Sequence, residues 1–128
     1  MARAVVHFEI IGTDPARLRD YYGDLFGWAY EVGDAKTEKV SQPGQYGVID
    51  GASTGDGDGI NGGIGGGAGH QPHVLFYVGV PDVEAALATA EQLGGTRLMG
   101  PEPGPGDFAV GQFRDPEGNV VGVAGPSS

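Results

Sequence analysis

The 128-residue sequence contains no cysteine, so disulfides and thiolate metal sites are excluded and the redox compartment cannot be read from it. It is also poor in cations. Seven Lys and Arg stand against seventeen Asp and Glu, a formal net charge of -10. Nucleic acid and anionic membranes need a basic footprint, so neither is expected as a partner. No apolar run approaches the length of a membrane span. Met1-Ala2-Arg3-Ala4 leads straight into a patterned strand without a long apolar leader, which makes a cytoplasmic location the default expectation. Glycine, by contrast, is abundant at 26 residues and takes more than half of the positions from Gly51 to Gly69. The length suits one domain, residues 1–128, with a core that needs no covalent staple.

Val5-Val6-His7-Phe8-Glu9-Ile10-Ile11 reads as the first strand. Residues two apart in a strand share a face, so His7 and Glu9 point the same way from an apolar background. Each has an ordinary structural reading, as a core histidine and a rim carboxylate. Thr13-Asp14-Pro15 then predicts a helix start, with Leu18, Tyr21, Tyr22, Leu25 and Phe26 at helical spacing and Gly27 as C-terminal cap. Strands are expected at Trp28–Val32 and Gln45–Asp50. The glycine-rich segment reads either as a flexible linker or, at Gly59–Ile64, as a short strand closely approached by a neighbour. Asp56-Gly57-Asp58-Gly59 lacks the spaced ligands and terminal glutamate of a calcium loop and reads as a turn.

His73–Val78 is the most apolar strand, and its unbroken run predicts burial on both faces. A second helix follows Pro81-Asp82, with Val83, Ala86, Leu87, Ala90 and Leu93 as its buried stripe. A strand at Thr96–Met99 leads to Gly100–Gly106, which reads as a Pro- and Gly-rich loop, either a lid or an ordinary connection. A hairpin, Phe108–Arg114 and Val120–Ala124 about the turn Asp115-Pro116-Glu117-Gly118-Asn119, ends the pattern.

The pattern is a repeat: strand, helix, then three strands, twice. An offset of 66 residues carries His7 to His73 and Pro15 to Pro81 (7 + 66 = 73; 15 + 66 = 81). A pseudo-twofold arrangement of the halves would bring the two histidines toward one cavity, the usual form of a small-molecule site.

These residues resemble the vicinal oxygen chelate superfamily, which includes glyoxalase I, bleomycin-resistance proteins, fosfomycin-resistance enzymes and extradiol dioxygenases. The resemblance rests on Val6-His7-Phe8-Glu9-Ile10, the helix ending Leu25-Phe26-Gly27-Trp28, Pro72–Val78 with Asp82-Val83-Glu84-Ala85-Ala86, and the Asp115-Pro116-Glu117-Gly118-Asn119 turn. It implies an α+β fold of two βαβββ modules, residues 4–66 and 71–125, forming a cupped mixed sheet, commonly in a homodimer. It also implies metal ligands at His7 and His73, and a carboxylate on the last strand, where this sequence has Gly122. The matching strand of the first half, Ile60–Ile64, offers only Asn61, with Asp58 just before it. Glu9 is the substitute within reach, which would make His7, Glu9 and His73 a set suited to a divalent ion such as iron, zinc, nickel or manganese.

Three functions follow as expectations. The first is a metal-dependent lyase or dioxygenase that polarises vicinal oxygens of a small substrate. Glu9 would be third ligand or general base, and Tyr77 a donor beside it. The second is a metal-free drug- or metabolite-binding protein. Its cup would be walled by Tyr22, Trp28, Tyr46, Tyr77 and Phe108, and its acidity would favour a cationic guest. The third is an interaction module without an active cavity. The missing carboxylate at Gly122 leaves open whether the chain is an enzyme.

Overall fold

A computed structural model describes residues 2–35, 37–104 and 106–127. Its elements run β1 (Val5–Gly12), α1 (Pro15–Phe26), β2 (Glu31–Gly33), β3 (Tyr46–Ile49), β4 (Asn61–Gly66), β5 (His73–Gly79), α2 (Val83–Gln92), β6 (Thr96–Pro103), β7 (Phe108–Arg114) and β8 (Val120–Pro126). The order βαβββ occurs twice, as the sequence repeat predicts. The chain forms two compact units, one from His7–Val74 and one from the residues up to Val6 together with those from Leu75 onward.

In the His7–Val74 unit the strand order is β2-β3-β4-β1, antiparallel except for β1 alongside β4. Asp14 caps α1 by accepting from the Arg17 N–H at 3.2 Å, and Pro15 opens the helix where a missing N–H costs nothing. Gly27 closes it in the left-handed region at φ 74°, its N–H donating to the Gly23 carbonyl at 2.8 Å. The helix lies over β3 and β4, and Arg19 crosses Gly47 to donate to the Gln45 carbonyl at 2.8 Å. The strand expected at Trp28–Val32 begins only at Glu31, because Trp28 turns back onto Tyr22 and Phe26 of α1. Tyr21, Leu25 and Phe26, which share the helical spacing of an apolar stripe, are more than half exposed.

The other unit has the order β5-β8-β7-β6, parallel at β5/β8 and antiparallel at β8/β7 and β7/β6. Asp82 caps α2 through the Ala85 N–H at 3.0 Å, and Val83 and Leu87 bury against Ala109 and Val123. Leu93, expected on the same stripe, lies beyond the helix and is 77% exposed. The double-sided burial expected of β5 is also corrected. Leu75 and Tyr77 are buried while Val74 and Phe76 are exposed, so the strand alternates like one whose sheet is covered on one side.

The loop expected at Gly100–Gly106 is largely strand. β6 continues through Gly100-Pro101-Glu102-Pro103 with two register shifts against β7. A proline cannot donate to a ladder, but an edge strand has N–H groups that need no partner in the sheet, and β6 is the edge of its unit. A lid over Gly100–Pro103 is therefore not what these residues form; Pro105 lies outside the described residues.

Among the described residues no helix is long and apolar enough to cross a membrane. Leu87, fully buried, fits against Gly111, where a Cβ would come within 2.6 Å of its Cδ1. Leu87→Ala is expected to cost about 2–5 kcal/mol by cavity formation, read as a lower urea midpoint at unchanged m.

Candidate functional site

His7 and Glu9 do share a face of β1, as the period-two pattern requires. Glu9 is 2% exposed, a buried carboxylate in a strand of apolar neighbours. Its partner comes from β3. The Tyr46 hydroxyl donates to Glu9 Oε2 at 3.2 Å and lies 2.9 Å from His7 Nε2. A phenol has one hydrogen to give, so with that hydrogen on Glu9 the histidine donates through Nε2–H. The imidazole and phenol planes are 14° from parallel. His7, Tyr46 and Glu9 thus form one hydrogen-bonded chain on one face of the first unit. Burial lowers the His7 pKa to about 4, so the imidazole is neutral at pH 7.

Tyr46 reaches β1 only by crossing β4, and glycine makes the crossing. Gly63 pairs with Glu9 on one side and Val48 on the other. A Cβ on Gly63 would stand 2.0 Å from the Tyr46 hydroxyl oxygen, and one on Gly65 would stand 2.6 Å from Tyr46 Cδ1. At Asn61–Gly66 the glycine-rich segment is therefore a strand on which a tyrosine ring lies, not a linker. The other open alternative, Asn61, is committed to the backbone, since its Oδ1 accepts from the Gly51 N–H at 2.8 Å.

The second unit repeats the arrangement with other partners. Tyr77, 2% exposed, pairs across the ladder with Gly122, whose Cβ would stand 2.3 Å from the Tyr77 ring. Gln112 Nε2 donates to the Tyr77 hydroxyl at 2.9 Å. The ring thus fills the space into which a carboxylate at position 122 would project.

The remaining sequence candidates lie apart from these chains. His73 is exposed, and its Nδ1 bonds the Gln71 carbonyl at 2.7 Å. Tyr22 stacks with both Phe26 and Trp28, and Trp28 also meets Phe8, whose side chain leaves β1 on the face opposite His7 and Glu9. Phe108, 56% exposed, opens β7 in the other unit. Sequence reasoning named Tyr46 only as a wall of the cup and missed it as the link between His7 and Glu9, and it missed Gln112 as the partner of Tyr77. The available signal was a glycine at an inward strand position in each half, room that a large neighbour must fill.

The donor set does not fit a divalent ion. His7 Nε2 and Glu9 Oε2 both face the Tyr46 hydroxyl, and position 122 is filled by Tyr77. Among the described residues no three His, Asp or Glu side chains stand close enough to hold a metal.

A model of the Glyoxalase/Bleomycin resistance protein/Dioxygenase superfamily matches residues 4–123. The chain belongs to this superfamily. Solved structures share the fold of this superfamily member across its length. A methylmalonyl-CoA epimerase in complex with methylmalonyl-CoA and NH4+ is 17% identical, with TM-score 0.66, over 100% of this chain and 97% of the other. A single-substitution variant of the Streptomyces coelicolor epimerase, in complex with 2-nitronate-propionyl-CoA, gives 17% and 0.65 over 100% and 97%. The Mycobacterium tuberculosis epimerase gives 11% and 0.65 over 97% and 88%. No curated protein matches the sequence.

Two outcomes test this site. Gly63→Val should displace Tyr46 and cost about 1–3 kcal/mol by overpacking, read by urea denaturation. The second concerns pH. With the folded pKa of His7 near 4 and the ordinary value at 6.5, the unfolded chain takes up a proton that the folded chain refuses between those pH values. Its contribution to stability is present above pH 6.5 and falls as pH drops toward 4, by a few kcal/mol at most, roughly 3–4. Urea midpoints at about pH 7 and about pH 4.5 should therefore separate further for the wild type than for His7→Gln. Equal separations would contradict the burial of a neutral imidazole.

Proposed function

We propose that this chain binds a small organic molecule without a divalent metal, in the manner of a drug- or metabolite-sequestering protein. The observation that carries the proposal is the Tyr46 hydroxyl between His7 and Glu9, which turns two potential metal donors into one hydrogen-bonded chain. Buried polar groups linked in this way on an apolar strand are the sparse, well-placed polar elements that orient ligands. His7 is the less buried end of the chain and is the contact for a ligand's polar group, with Glu9 and Tyr46 fixing its ring and tautomer behind it.

The guest that fits best is an organic cation or neutral aromatic. The net charge of -10 concentrates cations near the surface, and a neutral His7 adds no repulsion. The same field disfavours polyanions. That argues against carrying over the CoA esters seen in the epimerase structures, which are similar in fold at 17% identity. Metal-dependent lyase or oxygenase chemistry through His7, Glu9 and His73 has less support, since His7 and Glu9 are joined through the Tyr46 hydroxyl and exposed His73 bonds the Gln71 carbonyl.

Calorimetry with a panel of cationic aromatics, run beside methylmalonyl-CoA, tests this reading. Saturable binding of a cation that survives EDTA and weakens in Tyr46→Phe by roughly three- to tenfold is the expected result. Binding of the CoA ester alone, or stoichiometric iron, zinc, nickel or manganese that is lost in His7→Ala, would overturn it.

A further inference from the structure

The second unit carries a groove on the sheet face opposite Tyr77 and Gly122. Val78 of β5 and Val121 and Val123 of β8 form its floor, because residues one apart from Tyr77 and Gly122 point to the other side. Ala86 and Ala90 of α2 form one wall. These short side chains leave a hollow along one side of the helix, beside the Val83 and Leu87 contacts that pack it on the sheet. The groove measures about 670 Å³, inside the roughly 300–1,000 Å³ typical of small-molecule sites.

Its charges are unequal in availability. Asp82 is occupied in capping α2, and Asp115 accepts from the Glu117 and Asn119 N–H groups and from Asn119 Nδ2, each at 2.9 Å. Arg3 is the one cation among the described lining residues, it is exposed, and no described residue pairs with its guanidinium. A second hollow of about 350 Å³ shares Arg3, Val80 and Pro81 with the first and runs on to Phe108. Arg3 therefore stands where two apolar hollows meet, in a chain that has few cations.

We propose that this groove is a second binding site, for a monoanionic organic acid with an apolar body whose carboxylate pairs with Arg3. The apolar floor selects against sugars and nucleotides, which would leave hydroxyls unpaired. The overall charge selects against polyanions, while one negative charge is met by one guanidinium. The two hollows offer an alkyl or aryl body a continuous surface on either side of the cation.

Decanoate, below its micellar concentration, and decyltrimethylammonium are the probes, titrated into the full chain by calorimetry and by amide chemical-shift mapping. Decanoate is expected to bind saturably, shifting the amides of Ala86, Ala90, Val121 and Val123. Arg3→Gln, an exposed change, should weaken it roughly tenfold with an unaltered circular dichroism spectrum. Ala86→Phe should block the groove, and His7→Gln should leave decanoate binding unchanged, so this site and the first-unit site fail independently. The proposal is overturned by absence of saturable decanoate binding, by equal affinity in Arg3→Gln, or by equally tight binding of the cationic probe.

Discussion

The hydrogen bonds of Tyr46 depend on a constraint set by strand spacing. Neighbouring strands lie about 4.8 Å apart, so a β3 side chain meets one on β1 only by lying across the strand between them. β4 permits this because Gly63 and Gly65 present no side chain to the ring. The burial of Glu9 follows from the same geometry, since a carboxylate this deep needs a donor, and the Tyr46 hydroxyl is one. The glycine of β4 and the polar chain of β1 are two parts of one arrangement.

The second unit reaches a comparable result by other means. There Tyr77 stands on β5 itself, directly opposite Gly122, and its hydroxyl is met by an amide, Gln112, in place of a carboxylate and an imidazole. The two tyrosines are not related by the 66-residue offset that relates His7 to His73. What the units share is an exchange of bulk, in which an inward strand position gives up its side chain and an aromatic ring from a neighbouring strand takes the volume. The resemblance implies a carboxylate at position 122, and here the Tyr77 ring occupies that space. Loss of a carboxylate alone would leave a hole, whereas a ring in its place leaves a packed interior.

Much of the fold was legible in the sequence, and the reasons are local. The Asp14-Pro15 start, the Gly27 cap and the Asp82 cap are short-range chemistry that neighbours rarely override. The doubled βαβββ order followed from periodicity. What periodicity could not give was which apolar face is covered. Tyr21, Leu25, Phe76 and Leu93 have the right spacing for burial and are exposed, because spacing names a face and only the packing of other elements decides whether it is buried. Pro101 and Pro103 misled for a related reason, since a proline forbidden in a central strand is tolerated at an edge. At the site, the co-facing of His7 and Glu9 was legible, while the intervention of Tyr46, from 37 residues beyond Glu9, was not. Long-range contacts of this kind leave no periodic trace.

The composition of β4 also bears on motion. A strand of Asn61-Gly62-Gly63-Ile64-Gly65-Gly66 brings almost no side-chain area of its own to the interior, and its glycines lose more freedom on ordering than other residues would. Only Ile64, fully buried, anchors it by apolar contact. Its order is borrowed from the ladders to β1 and β3 and from the ring laid over it. Any local opening of β4 must break both of these ladders, and little side-chain packing opposes it besides. Because Glu9 and Tyr46 meet above it, such an opening would loosen the polar chain along with the strand, and transient exposure of the buried carboxylate would be timed by the glycines beneath it.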